Sequence, residues 1–249
     1  MSGRLEGKVA GVTVAGSGFG EGIARRFAGE GASVVVADIN GEAAERVAAE
    51  IGPAARGVRA DVAVMADVRE MCAAAKTFGG LDILVNNAGY THRNGSMLDI
   101  DEEMFDRILA VNAKAIYLAA LVAVPMMRER GGGSIINTAS TAGLRPRPGL
   151  TWYNASKGWA ITASKSMAVE LAPDNIRVNA LCPVAGETGM LHLFMGEDTP
   201  EKRAQFQASI PLGRLSRPED MAGAALWLAS DEAAFITGVA LEVDGGRCV

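Results

Sequence analysis

Residues 153 to 157 read YNASK, which sets a phenol and an ammonium four positions apart. On a helix that spacing stacks Tyr153 and Lys157 one turn apart on the same face. A free phenol ionises at about pH 10, so it is a poor base at neutrality. A cation one turn away favours the phenolate, and the pair then suits moving a proton on or off a carbinol oxygen. Alone, the same spacing is explained equally by an exposed Tyr–Lys pair. Other residues add to it. Ser140 lies 13 residues before Tyr153, just after the apolar run SIINT, where a hydroxyl can hydrogen-bond a substrate oxygen. Asn112 sits in AVNAKA, midway along a helical pattern, where an amide is costly unless it is buried with partners. Asn86-Asn87-Ala88-Gly89 closes another apolar run, at the sheet edge where ligands bind in open α/β folds.

A second constellation lies near the start. Residues 12 to 22 read VTVAGSGFGEG. A strand, a glycine-rich turn and a helix place backbone N–H groups and a positive helix end where a pyrophosphate can sit. Gly18 and Gly20 let the backbone approach the phosphates, with Ser17 and Phe19 between and beside them. Asp38 ends the next apolar run, 18 residues beyond Gly20, with Ile39 after it. A carboxylate there can accept hydrogen bonds from an adenosine ribose and would repel a 2'-phosphate, which favours NAD over NADP. Capping of the helix near Gly41 is a compatible second use of Asp38. Val14 stands where such a turn usually has its first glycine. A β-branched residue reaches positive φ only at about 1–3 kcal/mol, so Val14 is expected to be extended and to add bulk near the adenine.

Both constellations need a frame. Short β-branched runs alternate with longer alanine-rich amphipathic ones. The pattern predicts strands over 8–13, 33–38, 56–60, 82–86, 134–138, 176–180 and 239–243. It predicts helices over 20–29, 41–51, 64–78, 102–129, 152–171 and 218–229. Strands that are apolar throughout are covered on both faces, and β–α alternation gives right-handed crossovers. The expected class is α/β, a doubly wound parallel sheet of about seven strands with helices on both faces. No linker or repeat divides residues 1–249, so one domain is expected. The least regular stretch, 184–210, fits a lid better than a connector.

With 49% hydrophobic and 21% charged residues, the chain can bury a large core. Its net charge of -5 argues against nucleic acid or an anionic membrane as partner. No transmembrane helix is expected, and the opening MSGRLEGKVAG has no signal-peptide core. Cys72, Cys182 and Cys248 lack CxxC spacing, which suggests reduced thiols and a cytoplasmic location. His92 and His192 lack metal-ligand spacing, so no metal is expected.

In this order the motifs resemble those of the short-chain dehydrogenase/reductase family, from about Leu5 to the end of the sequence. They are Thr13 with Gly18 and Gly20, Asp61-Val62, NNAG at 86–89, Asn112, Ser140, YxxxK at 153–157, Pro183 and Thr188. The resemblance implies a Rossmann-like fold and an NAD-dependent enzyme. It implies that Ser140 orients the substrate and Tyr153 transfers the proton. Lys157 would hold the nicotinamide ribose and lower the tyrosine pKa, and Asn112 would support a water linking Lys157 to solvent. Asp61 and Val62 would meet the adenine, and Asn87, Ala88 and Gly89 would flank the cofactor. Pro183, Val184 and Gly186 would lead to Thr188 on the carboxamide. Val14 and Val184 stand where the family usually has glycine, which bears on cofactor affinity and pose rather than proton transfer.

For the substrate, Ser140, Arg145, Trp152, Met190 and Leu191 are the candidates. A mainly apolar pocket with a cationic rim would suit a ketone or hydroxy compound bearing a carboxylate. Arg145 and Arg147 would form that rim and the lid residues Met190 to Phe194 its apolar side; for each arginine by itself, a solvated or subunit-contact role is the stronger reading. The alanine-rich helices, by family resemblance, imply a homotetramer. The leading function is NAD-dependent interconversion of a secondary alcohol and a ketone. The alternatives are a β-ketoacyl thioester reductase, against which Asp38 counts, and a non-catalytic NAD-binding regulator, suggested by Val14 and Val184. A methyltransferase would leave YxxxK and Ser140 unexplained.

Overall fold

The β-branched runs become parallel strands and the alanine-rich runs become the helices between them. The computed structural model describes residues 3–249. In chain order the elements are β1 (Val9–Thr13), α1 (Gly18–Gly29), β2 (Ser33–Asp38), α2 (Gly41–Ile51), β3 (Ala55–Arg59), α3 (Met65–Ala75), β4 (Ile83–Asn86), α4 (Glu102–Leu109), α5 (Ala115–Glu129), β5 (Gly133–Thr138), α6 (Thr151–Leu171), β6 (Ile176–Pro183), α7 (Leu191–Met195), α8 (Pro200–Ala208), α9 (Pro218–Ala229) and β7 (Ala240–Val243). The seven strands form one parallel sheet in the order β3-β2-β1-β4-β5-β6-β7.

Successive residues of a strand point to opposite faces, and both faces of this sheet are covered. Val34 and Val36 of β2 join Ala10, Val12, Ile83 and Val85 beneath α1, α2 and α9. Val35 and Ala37 join Val9, Leu84 and Ile135 beneath α3, α5 and α6. Each fully buried valine contributes roughly 1.5–3 kcal/mol, so SVVVAD anchors both layers at once.

The structure differs from the sequence pattern in four places. First, α1 begins at Gly18, so the glycine loop itself supplies the first helical turn. Second, the long pattern over 102–129 divides at a π-helical turn, Ala110–Lys114. Third, that stretch is apolar enough over an 18-residue window to span a membrane by length and composition, with mean hydropathy 1.9. In the fold 56% of that window is buried, as in the core helix of an α/β protein. Fourth, the segment 184–210 is not irregular: it holds α7 and α8, and its Val184, Leu191, Met195 and Ile210 form an apolar cluster with Leu215.

Candidate active site

The chain builds β1, β2 and β3 outward in one direction and then places β4 on the other side of β1. At such a reversal the two neighbouring loops splay apart. A cleft of about 1080 Å³ lies at the carboxyl ends there. A line of polar side chains joins those ends. Thr13 Oγ1 accepts from the amides of Asn87 (2.9 Å) and Ala88 (3.1 Å), and Thr138 Oγ1 donates to Asn87 Oδ1 (3.3 Å). Thr13 is thereby spent behind the loop and does not line the cleft.

Ser140, Tyr153 and Lys157 all line the cleft, and all are buried. Ser140 follows β5, and its Oγ accepts from Ala142 N at 3.1 Å. Tyr153 and Lys157 share one face of α6, as their spacing predicts. Lys157 Nζ donates to Thr138 O at 2.8 Å and lies 5.8 Å from the centre of the Tyr153 ring. Burial pushes the Tyr153 phenol up to about 12, against a smaller downward pull from Ser140. Burial brings the Lys157 ammonium down to about 8. Burial, not the cation one turn away, sets the direction of this shift, because desolvation disfavours the phenolate.

Asn112 stands in the π turn, a feature often found where a helix serves a site. Its Oδ1 accepts from Tyr90 N (2.8 Å), and its Nδ2 donates to Tyr90 O (2.9 Å) and Ser156 Oγ (2.9 Å). It locks the strand carrying NNAG onto the helix carrying Tyr153 and Lys157. Gly89 completes the contact, its Cα side facing Lys157 Nζ.

On the opposite wall, Ser17, Gly18, Phe19, Asn87, Gly89, Pro183, Val184, Gly186 and Thr188 line the cleft. Val14 corrects the expectation of an extended residue: its φ is +51°. Contacts from β2 impose this turn. Ala15 N donates to Ala37 O and Gly16 N to Asp38 Oδ2, each at 3.0 Å. Asp38 Oδ1 accepts from Asn40 N, while Asn40, not Asp38, caps α2 through Ala43 N. Asp38 is buried and Ile39 exposed, both beyond the cleft lining. Asp61 and Val62 also lie outside it, with Asp61 3.9 Å from Arg107.

At the substrate end, Met190, Leu191 and Arg145 line the cleft, but Trp152 does not. One position along α6 from Tyr153, Trp152 turns to the other side. There its Nε1 donates to Met97 O at 3.1 Å and its ring meets Phe105 edge-on at 5.5 Å. Arg145 donates to the main-chain oxygens of Arg247 (3.1 Å) and Val249 (3.4 Å). Phe194 of α7 packs on the Tyr153 ring at 5.3 Å.

The profile of the family described as enoyl-(acyl carrier protein) reductase matches residues 14–247. Over 248 residues the chain is 50% identical to the 4-formylbenzenesulfonate dehydrogenase of Comamonas testosteroni, with 98% of each chain covered. It belongs to the short-chain dehydrogenase/reductase family. Another member, the 2-(S)-hydroxypropyl-CoM dehydrogenase 3 of Xanthobacter autotrophicus, is 42% identical over 252 residues, covering 99% of this chain and 98% of that one. A crystal structure described as a 3-ketoacyl-(acyl-carrier-protein) reductase from Brucella melitensis complexed with NADH superposes with a TM-score of 0.93. It is 51% identical and covers 98% of this chain and 100% of its own.

As a short-chain dehydrogenase/reductase, the chain is an oxidoreductase of a family that acts on CH–OH groups with a nicotinamide cofactor. The glycine wall fits such a dinucleotide. Ser17 makes no side-chain cap at the start of α1, which leaves the first helical amides free for an anion. Gly18 holds φ +56° on the cleft, and a Cβ at Gly20 would fall 2.1 Å from the Val14 carbonyl oxygen. Val184 is 5% exposed and packs into the cluster under α7 and α8, so its bulk seats that segment. Sequence reasoning missed Asn154, Phe206 and Arg247 as cleft residues, whereas Arg147, close to the site in sequence, and Phe194 do line it. Phe194 falls in a stretch already read as a lid. Arg247 lies far from every motif, and only the fold brings it near.

Proposed function

We propose that the chain is an NAD-dependent oxidoreductase that interconverts a secondary alcohol and a ketone, with Tyr153 as general acid/base. The observation that carries this reading is the convergence of Ser140, Tyr153 and Lys157 in one buried corner of the cleft. Bound against the glycine wall, the nicotinamide would supply or accept the hydride. Ser140 Oγ turns its proton toward the substrate oxygen and orients it. In reduction Tyr153 gives its phenolic proton to the carbonyl oxygen; in oxidation the tyrosinate takes it from the carbinol. Lys157, charged at neutrality with a pKa of about 8, stabilises the tyrosinate through the low-dielectric corner. Ser17, Gly18, Phe19 and Gly20 would hold the pyrophosphate, and Asp38 the adenosine ribose, which selects NAD. The segment 184–210 acts as the lid, its Phe194 covering the Tyr153 ring. Tyr117 and Leu121 on α5 and Trp159 and Val169 on α6 are exposed apolar residues that suit a homotetramer.

Titration with NADH and NADPH, followed by nicotinamide fluorescence, tests the cofactor half of this reading. NADH should bind at least about tenfold more tightly, the difference that one charge-assisted hydrogen bond makes. A panel of secondary alcohols, ketones and a β-ketoacyl thioester tests the reaction. The thioester represents a second reading, favoured by the description of the Brucella structure. Binding of neither nucleotide would overturn both in favour of a non-catalytic role.

A further inference from the structure

We propose that the part of the cleft beneath α8 is an oxyanion subsite, where Arg147 and Arg247 seat a carboxylate or sulfonate carried by the substrate. This rests on the reading of the cleft as the substrate site and names the class of alcohol or ketone it takes.

Besides Arg203 of α8, three guanidinium groups line this part of the cleft, from two regions remote in sequence: Arg145 and Arg147 on the loop after β5, and Arg247 after β7. Arg145 is occupied with the main-chain oxygens of Arg247 and Val249 and so holds Arg247 against the cleft. Arg147 and Arg247 have no carboxylate partner among the described residues. Arg147 is half-buried over the Phe206 ring, 4.8 Å from its centre, and among the described residues its one side-chain hydrogen bond is to the Ser209 hydroxyl at 3.2 Å. Arg247 Nε is buried with no hydrogen-bond partner among the described residues. Burial first, and then the nearby Arg247, hold the Arg147 pKa below the usual arginine value.

A neutral hydroxyl and a ring face offset little of the cost of desolvating a guanidinium beside another of like charge. The other cations on this wall show how the fold treats a merely structural charge. Lys202 is paired with Glu197 and Arg203 with Asp198. The acid on the wall, Glu187, faces Arg217 at 4.0 Å. What remains is two uncompensated forks whose N–H geometry matches the oxygens of a carboxylate or sulfonate. The cofactor's phosphates have amides of their own at the start of α1. Asn154 fixes the spacing to the reacting centre: it follows Tyr153 on α6, and its Nδ2 donates to Arg147 O at 2.8 Å. Asn154 thereby ties the loop that carries Arg147 to the helical turn that carries Tyr153.

The test is calorimetric titration of the NAD-saturated protein with benzenesulfonate, benzoate and neutral benzamide. At least one anion should bind about tenfold or more tighter than benzamide, and the comparison of the two separates sulfonate from carboxylate. Arg147→Gln and Arg247→Gln should bring that ratio close to one. Arg203→Gln, on the same wall but ion-paired, should preserve it. Equal affinity for all three probes, no measurable binding of either anion, or a preference that survives both glutamine variants would overturn the subsite. If a variant folds poorly, the wild-type ratio at low and high salt still decides. Nucleotide binding is read separately by fluorescence. A chain that holds NADH but shows no anion preference loses the subsite alone, and one that holds no nucleotide loses the reading beneath it.

Discussion

At the Tyr153 wall of the cleft the backbone is helical and Lys157, Ser140 and Asn112 are all hydrogen-bonded; at the glycine wall Val14 is held at φ +51°. Left-handed backbone costs a β-branched residue about 1–3 kcal/mol. The glycine wall keeps its shape because β2 grips the turn through Ala37 O and Asp38 Oδ2. One wall is thus specified by residues a helical turn apart, and the other by a neighbouring strand that tolerates a local misfit. On the proposed function, the chemistry is local to α6 and the loop after β5, whereas the proposed cofactor wall is shaped by contacts that cross the sheet.

The contrast breaks first at Lys157. Lys157→Met should lower turnover by about 10²–10⁴-fold, the range of a general acid/base contribution. It should also change the pH dependence of stability. The folded lysine has its pKa brought from 10.5 down to about 8, so between those values the unfolded chain still binds a proton that the folded chain has released. The Lys157 contribution to stability therefore rises from pH 8 to pH 10, and the difference in denaturant unfolding between wild type and Lys157→Met should grow over that range.

The next largest effect lies on the other wall. Asp38→Asn keeps the acceptor for Gly16 or Asn40 but removes the charge. Fluorescence titration should show the NADH-to-NADPH preference fall by about tenfold. Val14→Gly sharpens the comparison directly. Removing the Cβ relieves the left-handed strain but loosens the unfolded chain, for a net gain of up to about 1 kcal/mol and several-fold tighter NADH binding. Thermal melts and the same titration check both. The smallest effect is at Trp152. Trp152→Phe loses the bond to Met97 O, costs about 1 kcal/mol in denaturant unfolding, and leaves the KM for substrate unchanged.

The same division explains what was legible in the sequence. The apolar run SVVVAD and the helices at Gly41–Ile51 and Pro218–Ala229 have the bounds their periodicity predicts, because caps and proline mark them locally. YNASK and Ser140 meet as their spacing implies. Trp152 was misplaced because adjacency to Tyr153 on a helix means a rotation away, not a shared face. The conformation of Val14 was not legible, since it is set by β2, more than twenty residues on. Arg147 and Arg247 could not be paired from sequence, because six elements, α6 to β7, lie between them along the chain.

The most direct test of the account is stopped-flow hydride transfer by Tyr153→Phe, at saturating NADH with a ketone the wild type reduces. The account predicts NADH binding and thermal stability close to wild type, and a transfer rate lower by at least about 10²-fold. A variant that reduced the ketone at the wild-type rate would contradict it, and the proton would have to come from another group in the cleft.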